Sequence, residues 1–168
     1  TSKIGQSFHS FEIKVANGKE ASPAFRDAGA TVASDYGVFF FVKADSTGGV
    51  LLEVCETAMP NDPYDRSGGW GPQVGVGHAS AVLRLDHIAC VTREIDKAIH
   101  FFTEVVDGTV IADASTELPQ AGRRVLIEIG DTRVAFIQPD DAASGPLGAF
   151  LGKPQNGIYA LVWQVADA

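Results

Sequence analysis

A few side chains in this 168-residue sequence lie in apolar strands that offer them little company. Glu53 is set inside the run VLLEVC (50–55). A carboxylate on a mostly buried strand requires a partner or a shifted pKa, so Glu53 is expected to face a cavity, with or without a metal. His87 stands at the front of the strand LDHIACV (85–91). Arg123 and Arg124 form a basic pair that could grip an anion, although such pairs on an edge strand are more often solvated. Cys55 and Cys90 both fall in apolar runs and read as buried, reduced thiols. Glu128 and Gln138 read as polar strand residues, and Phe39, Phe40 and Phe41 mainly as core.

The elements that must position these groups can be read from periodicity. Residues 85–107 begin as a strand and end as a helix, in which Ile95, Ala98, Ile99, Phe102, Val105 and Val106 share one apolar face. Thr92 is the expected N-cap and Gly108 the expected stop. The runs VLIEI (125–129) and VAFIQ (134–138) are β-type, with Gly130-Asp131 as a two-residue hairpin turn. This half reads β-α-β-β-β. The first half repeats the order, with a strand over 7–15, a break at Asn17-Gly18, a helix over 19–28 with Pro23 near its first turn, and strands over 38–42 and 49–55. Matching Ala21 and Phe25 to Ala98 and Phe102 puts Ser10 in register with His87, a weak internal repeat.

The segments LDHI (85–88), AIHFF (98–102), LIEIGD (126–131) and GPLGAFL (145–151) resemble the first βαβββ module of the vicinal oxygen chelate superfamily, which includes the glyoxalases. Within it, these segments resemble methylmalonyl-CoA epimerases. FVKADSTGGVLLEVCE (41–56) resembles the closing hairpin of that family's second module. The resemblance implies an α+β fold in which paired βαβββ modules form a cupped, open mixed β-barrel with helices outside. It also implies a module order that is inverted here. A second-type module over 1–56 precedes a Gly/Pro-rich linker over 57–82, a first-type module over 83–156, and the opening strand of a further module over 157–168. A homodimer, or a longer multi-module chain, would complete such a fold.

The same resemblance implies a divalent metal (zinc, cobalt, manganese, nickel or iron) held by His and Glu residues on facing strands. Such an ion stabilises the enolate formed when a carbon next to a carbonyl loses its proton, while a carboxylate carries that proton. Carried over residue by residue, His87 matches the first-strand ligand and Glu53 the last-strand ligand, and the two are expected to converge in one cup. Ala135 stands where relatives have Glu or Gln. Ser10 stands where a second-module His belongs, with His9 one residue out of frame; Ala160 and Tyr159 show the same mismatch. The relatives' Pro-Glu-x-Gly segment is PQAG (119–122) here, so Gln120 replaces the acid/base carboxylate. Glu53 and Glu117 are the expected catalytic carboxylates, with Glu128 as the alternative to Glu117, and His87, Glu53 and His9 are the expected metal ligands. The implied activity is that of a lyase or isomerase acting on a small thioester or 2-oxo compound. The alternative is a metal-free binding module of the drug-sequestering kind, or a structural module.

Composition narrows the field. The formal net charge of −8, without a basic stripe, argues against nucleic-acid binding. No apolar run approaches the length of a membrane span, and no signal peptide is legible, so a soluble cytoplasmic protein binding a small molecule is the expectation.

Overall fold

The computed structural model describes residues 8–57, 82–117, 119–153 and 157–165. The linker expected over 57–82 lies almost wholly outside them. The first half runs β1 (Phe11–Val15), α1 (Gly18–Asp27), β2 (Val32–Ala33), β3 (Phe39–Val42) and β4 (Leu52–Glu56). The second runs β5 (Val82–Val91), α2 (Ile95–His100), β6 (Thr109–Thr116), β7 (Gly122–Ile129), β8 (Thr132–Pro139), α3 (Gly145–Leu151) and β9 (Ile158–Val165).

The halves share one topology. Sheet A has the order β1-β4-β3-β2, and sheet B the order β6-β7-β8-β5-β9. In each, the strand before the helix pairs in parallel with the last strand of its unit, β1 with β4 and β5 with β8, and the other pairings are antiparallel. The α+β class and the cupped mixed sheets therefore match expectation, and no closed barrel forms among the described residues.

Local chemistry explains the helix starts. The Asn17 side chain accepts from the amides of Lys19 and Glu20, so α1 begins at Gly18 and Pro23 falls in its second turn rather than its first. Thr92 is not the N-cap residue of α2, a place taken by Glu94. Its hydroxyl accepts from the Glu94 amide at 2.8 Å and donates to the Gly48 carbonyl of the other unit. The next amide, on Ile95, donates to Gln138 Oε1 at 2.9 Å. Two of the helix's orphan donors are thereby satisfied by side chains. After His100 the winding loosens to a π-helical turn over Phe101–Val105, ending where the Gly108 amide meets the Phe102 carbonyl.

One apolar core joins the halves. It contains Phe11, Phe40, Val42, Leu52 and Val54 of sheet A, and Ile88, Cys90, Val125, Ile127, Val134 and Phe136 of sheet B. Phe25 of α1 and Ile95, Ala98, Phe101 and Phe102 of the second unit's helix belong to the same cluster. The sheets thus pack through their helix-bearing faces, and each keeps a far face pointing away from the shared core. A smaller cluster of Val91, Ile137 and Leu147 seats α3 on one end of sheet B's far face. Among the described residues no helix is long and apolar enough to cross a membrane.

Candidate functional site

Strand alternation decides which side chains reach the far faces. On sheet A, Phe11, Leu52 and Val54 point into the core, so Glu12, Glu53 and Cys55 point away from it. The parallel register sets Glu12 beside Glu53 and Lys14 beside Cys55, while Phe41 and Phe39 oppose Glu53 and Cys55 from β3. One donor atom each of Glu12, Glu53 and Cys55 lies within 4.8 Å of the others. Glu53 is held from both sides: Ser10 Oγ donates to its Oε2 at 3.4 Å, and Cys55 Sγ to its Oε1 at 3.7 Å. His9 Nδ1 lies 3.1 Å from Ser10 Oγ, which makes a hydrogen-bonded file from exposed His9 through Ser10 to Glu53. Lys14 Nζ pairs with Glu12 at 2.8 Å. Tyr36, Phe39 and Phe41 line the flank, with Tyr36 stacked on Phe39 at 4.7 Å and Phe41 edge-on to both Phe39 and His9.

The Cys55 thiol is pushed up to about 12, first by burial and then by the neighbouring charges of Glu12 and Glu53. It is therefore a protonated donor to Glu53 when no cation lies between them.

On sheet B, His87 is nearly buried on the far face. Its Nδ1 lies 2.7 Å from Asp86 Oδ2, a bond that holds the Asp86 carboxyl below the usual range. An irregularity in the β5–β9 pairing between Leu85 and His87 lets these sequence neighbours meet. Nε2 of His87 lies 3.3 Å from Arg124 Nη2. Ala135 sits between Leu126 and Ala89 in register, on the same face.

The expected metal set is therefore divided. His9, Ser10 and Glu53 gather on sheet A, whereas His87 lies on the far face of sheet B with the common core between. His87 and Glu53 do not share a cup within this chain, because the units pack through their helices rather than mouth to mouth. Glu117 is exposed at the end of β6, among Asp113, Arg123 and Asp140. Gln120 holds α3 in place, accepting from the Leu147 amide and donating to the Asp141 carbonyl. Glu128 pairs with Arg133.

Sequence reading missed Glu12 and Cys55 as members of the Glu53 cluster. The two-residue spacing of Glu53 and Cys55 was a usable signal that they share a strand face. The parallel pairing that delivers Glu12 is a long-range register with no local signature.

The family model of the Glyoxalase/Bleomycin resistance protein/Dioxygenase superfamily matches residues 84–168, and the chain belongs to that superfamily. Among solved structures, a mutant 4-hydroxymandelate synthase from Streptomyces coelicolor covers 98% of this chain at TM-score 0.67 and 18% identity. The 2,3-dioxygenase LapB from Pseudomonas sp. KL28 covers 94% at TM-score 0.55 and 14% identity. A methylmalonyl-CoA epimerase from Mycobacterium tuberculosis covers 54% at TM-score 0.48 and 24% identity. The chain spans only 51%, 54% and 60% of those three proteins, respectively. At these identities the first two show likeness of fold, which extends over nearly all of this chain. No curated protein matches the sequence.

Proposed function

We propose that this chain is part of a vicinal oxygen chelate lyase or isomerase that removes a proton from carbon next to a carbonyl in a small thioester or 2-oxo compound. The observation that carries the reading is the convergence of Glu12, Glu53 and Cys55 on the far face of sheet A. Glu53 is the proton acceptor, oriented by Ser10 and Cys55. Its Oε2 passes the proton toward solvent along Ser10 and His9. Phe39 and Phe41, with the exposed Tyr36 stacked on Phe39, give it an apolar border on one side.

The donor set also suits a divalent ion, since two carboxylates and a thiol give three ligands and leave positions open. Glu12, Glu53 and Cys55 would hold it, with the thiol favouring zinc or cobalt over manganese. Such an ion would supply Lewis-acid stabilisation of charge on a substrate oxygen. Cys55 would then have to give up its proton on loading.

A metal-free binding module is the second reading. It is favoured by the Lys14–Glu12 pair and the Cys55–Glu53 bond, which give each carboxylate a partner without a cation.

Cobalt substitution separates the two. Near-ultraviolet thiolate-to-cobalt absorption that disappears in Cys55→Ser is the expected result, together with deuterium exchange at carbon next to the carbonyl of a 2-oxo acid or thioester, lost in Glu53→Gln. A protein that stays metal-free after dialysis against zinc, cobalt and manganese, and exchanges no deuterium, leaves the binding module in its place.

A further inference from the structure

The two arginines at the start of β7 are treated differently by the fold. Arg123 is saturated with carboxylates: Nε and Nη2 meet Asp113 at 3.0 and 2.8 Å, and Nη1 meets Asp96 at 2.7 Å. Arg124 points the other way, onto the far face of sheet B, and pairs with no carboxylate among the described residues. Its contact there is with His87 Nε2 at 3.3 Å. A guanidinium only donates, so Nε2 must be the acceptor and the ring proton sits on Nδ1, donated to Asp86. The tautomer of this nearly buried imidazole is thereby fixed from both sides.

The register explains how Arg124 reaches His87. Arg124 lies beside Ile137, one row away from Leu126, Ala135 and Ala89, and His87 lies one row beyond that. The side chain must pass over Ala135. A Glu or Gln there would fill that path, and a Glu would pair with the guanidinium. The neighbouring far-face positions are also small, with Ala112 opposite Leu126, Ala114 opposite Arg124 and Ala160 opposite Ala89. On the β6 side of this floor a cavity of about 260 Å³ opens, lined by Ala112, Ala114, Ser115, Thr116, Arg124 and Leu126, so that Arg124 stands between it and His87. These donors fit a cation poorly: the imidazole lone pair already faces a positive group, Ala135 brings no oxygen, and Glu128 is engaged with Arg133. A guanidinium carries five N–H donors in a planar fork that matches a carboxylate, and only one of them is used by His87.

We infer that the far face of sheet B is a metal-independent binding site for a small carboxylate, seated on the Arg124 fork beside His87 above the alanine floor. This site is separate from the Glu53 cluster and stands whether or not the reading of that cluster holds.

The test is methyl NMR of the metal-free chain titrated with benzoate, benzamide and inorganic phosphate. Benzoate should shift the methyls of Ala112, Ala114, Leu126 and Ala135, and benzamide should leave them in place. Arg124→Gln should weaken benzoate binding at least about tenfold, as for loss of a charge-assisted pair, while Arg123→Gln stays within about twofold. Ala135→Glu should abolish binding by supplying an internal carboxylate to Arg124. If Arg124→Gln fails to fold, Arg124→Lys keeps the charge without the fork and should still weaken benzoate more than phosphate. Equal shifts from benzamide, phosphate binding without benzoate binding, shifts confined to other surfaces, or equal effects of the two arginine variants would each overturn the inference.

Discussion

The ring of Phe11 on β1 stacks on that of Phe102 at 6.0 Å and 25°, joining sheet A to the helix that covers sheet B. Phe102 also meets Phe101 and Phe136, so one fully buried side chain ties both units together. Glu53 and His87 lie on the strand faces turned away from this shared core, and so on opposite sides of it.

Phe102→Ala is expected to cost about 3–5 kcal/mol, the range for deleting a buried aromatic ring. Urea unfolding should show the loss. Hydrogen exchange should show protection falling in both sheets together, since the cavity opens in a core they share. Loss of protection in sheet B alone would mean that the units fold independently.

Gly48 has φ +74°, and an added Cβ would fall 2.7 Å from the Cβ and amide nitrogen of Ala98 on α2. Gly48→Ala therefore adds a backbone clash between the units to a left-handed strain. Gly130, at φ +57° in the β7–β8 turn, has open space around it. Gly130→Ala should lose about 1 kcal/mol and Gly48→Ala at least about twice that, measured by urea midpoints.

The Cys55 thiol, raised to about 12, makes stability fall in alkali. An unfolded thiol ionises near its ordinary value while the folded one stays protonated, so above about pH 9 the unfolded chain binds fewer protons. The contribution is complete below that pH and is lost as pH rises toward the folded value. Cys55→Ala should decline less than the parent between pH 9 and 11. At pH 8 the native thiol should resist a disulfide reagent, and Glu12→Gln together with Glu53→Gln should speed its reaction.

Asp35 titrates in the opposite sense. A hydrogen bond from Ser22 Oγ, the Gly37 amide and the Arg26 guanidinium hold its carboxyl below the ordinary range. Its stabilisation is present above about pH 4 and disappears as pH falls through the folded value. Ser22→Ala should remove about 1 kcal/mol at pH 7. The difference from the parent should shrink as the pH drops toward 2, read by urea midpoints at each pH.

The outer edge of β1 carries no strand among the described residues, whereas the equivalent edge of β5 is paired antiparallel with β9. Exposed edges invite pairing. Light scattering is expected to give twice the 17.7 kDa of one chain, and a proline at Glu12 should return it to one. A monomer in the parent would rule out self-pairing at this edge.

Several elements, and the residues they bury, were legible in the sequence. Helical periodicity placed Ile95, Ala98 and Phe102 on one buried face, Gly130-Asp131 made the β7–β8 turn, and the apolar setting of Glu53 marked it as a carboxylate in need of partners. These are local signals, set by side-chain period and turn chemistry within a few residues. Tertiary structure decided which faces meet. Nothing near Glu53 announces that Glu12 will lie beside it across a parallel ladder 41 residues away (53 − 12). Nothing near His87 announces that an arginine will close over its Nε2. Such pairings depend on which strand edge a crossover helix returns to and on which face the shared core buries, and burial of Phe11, Phe102 and their neighbours outweighs any preference of the polar groups they leave outside.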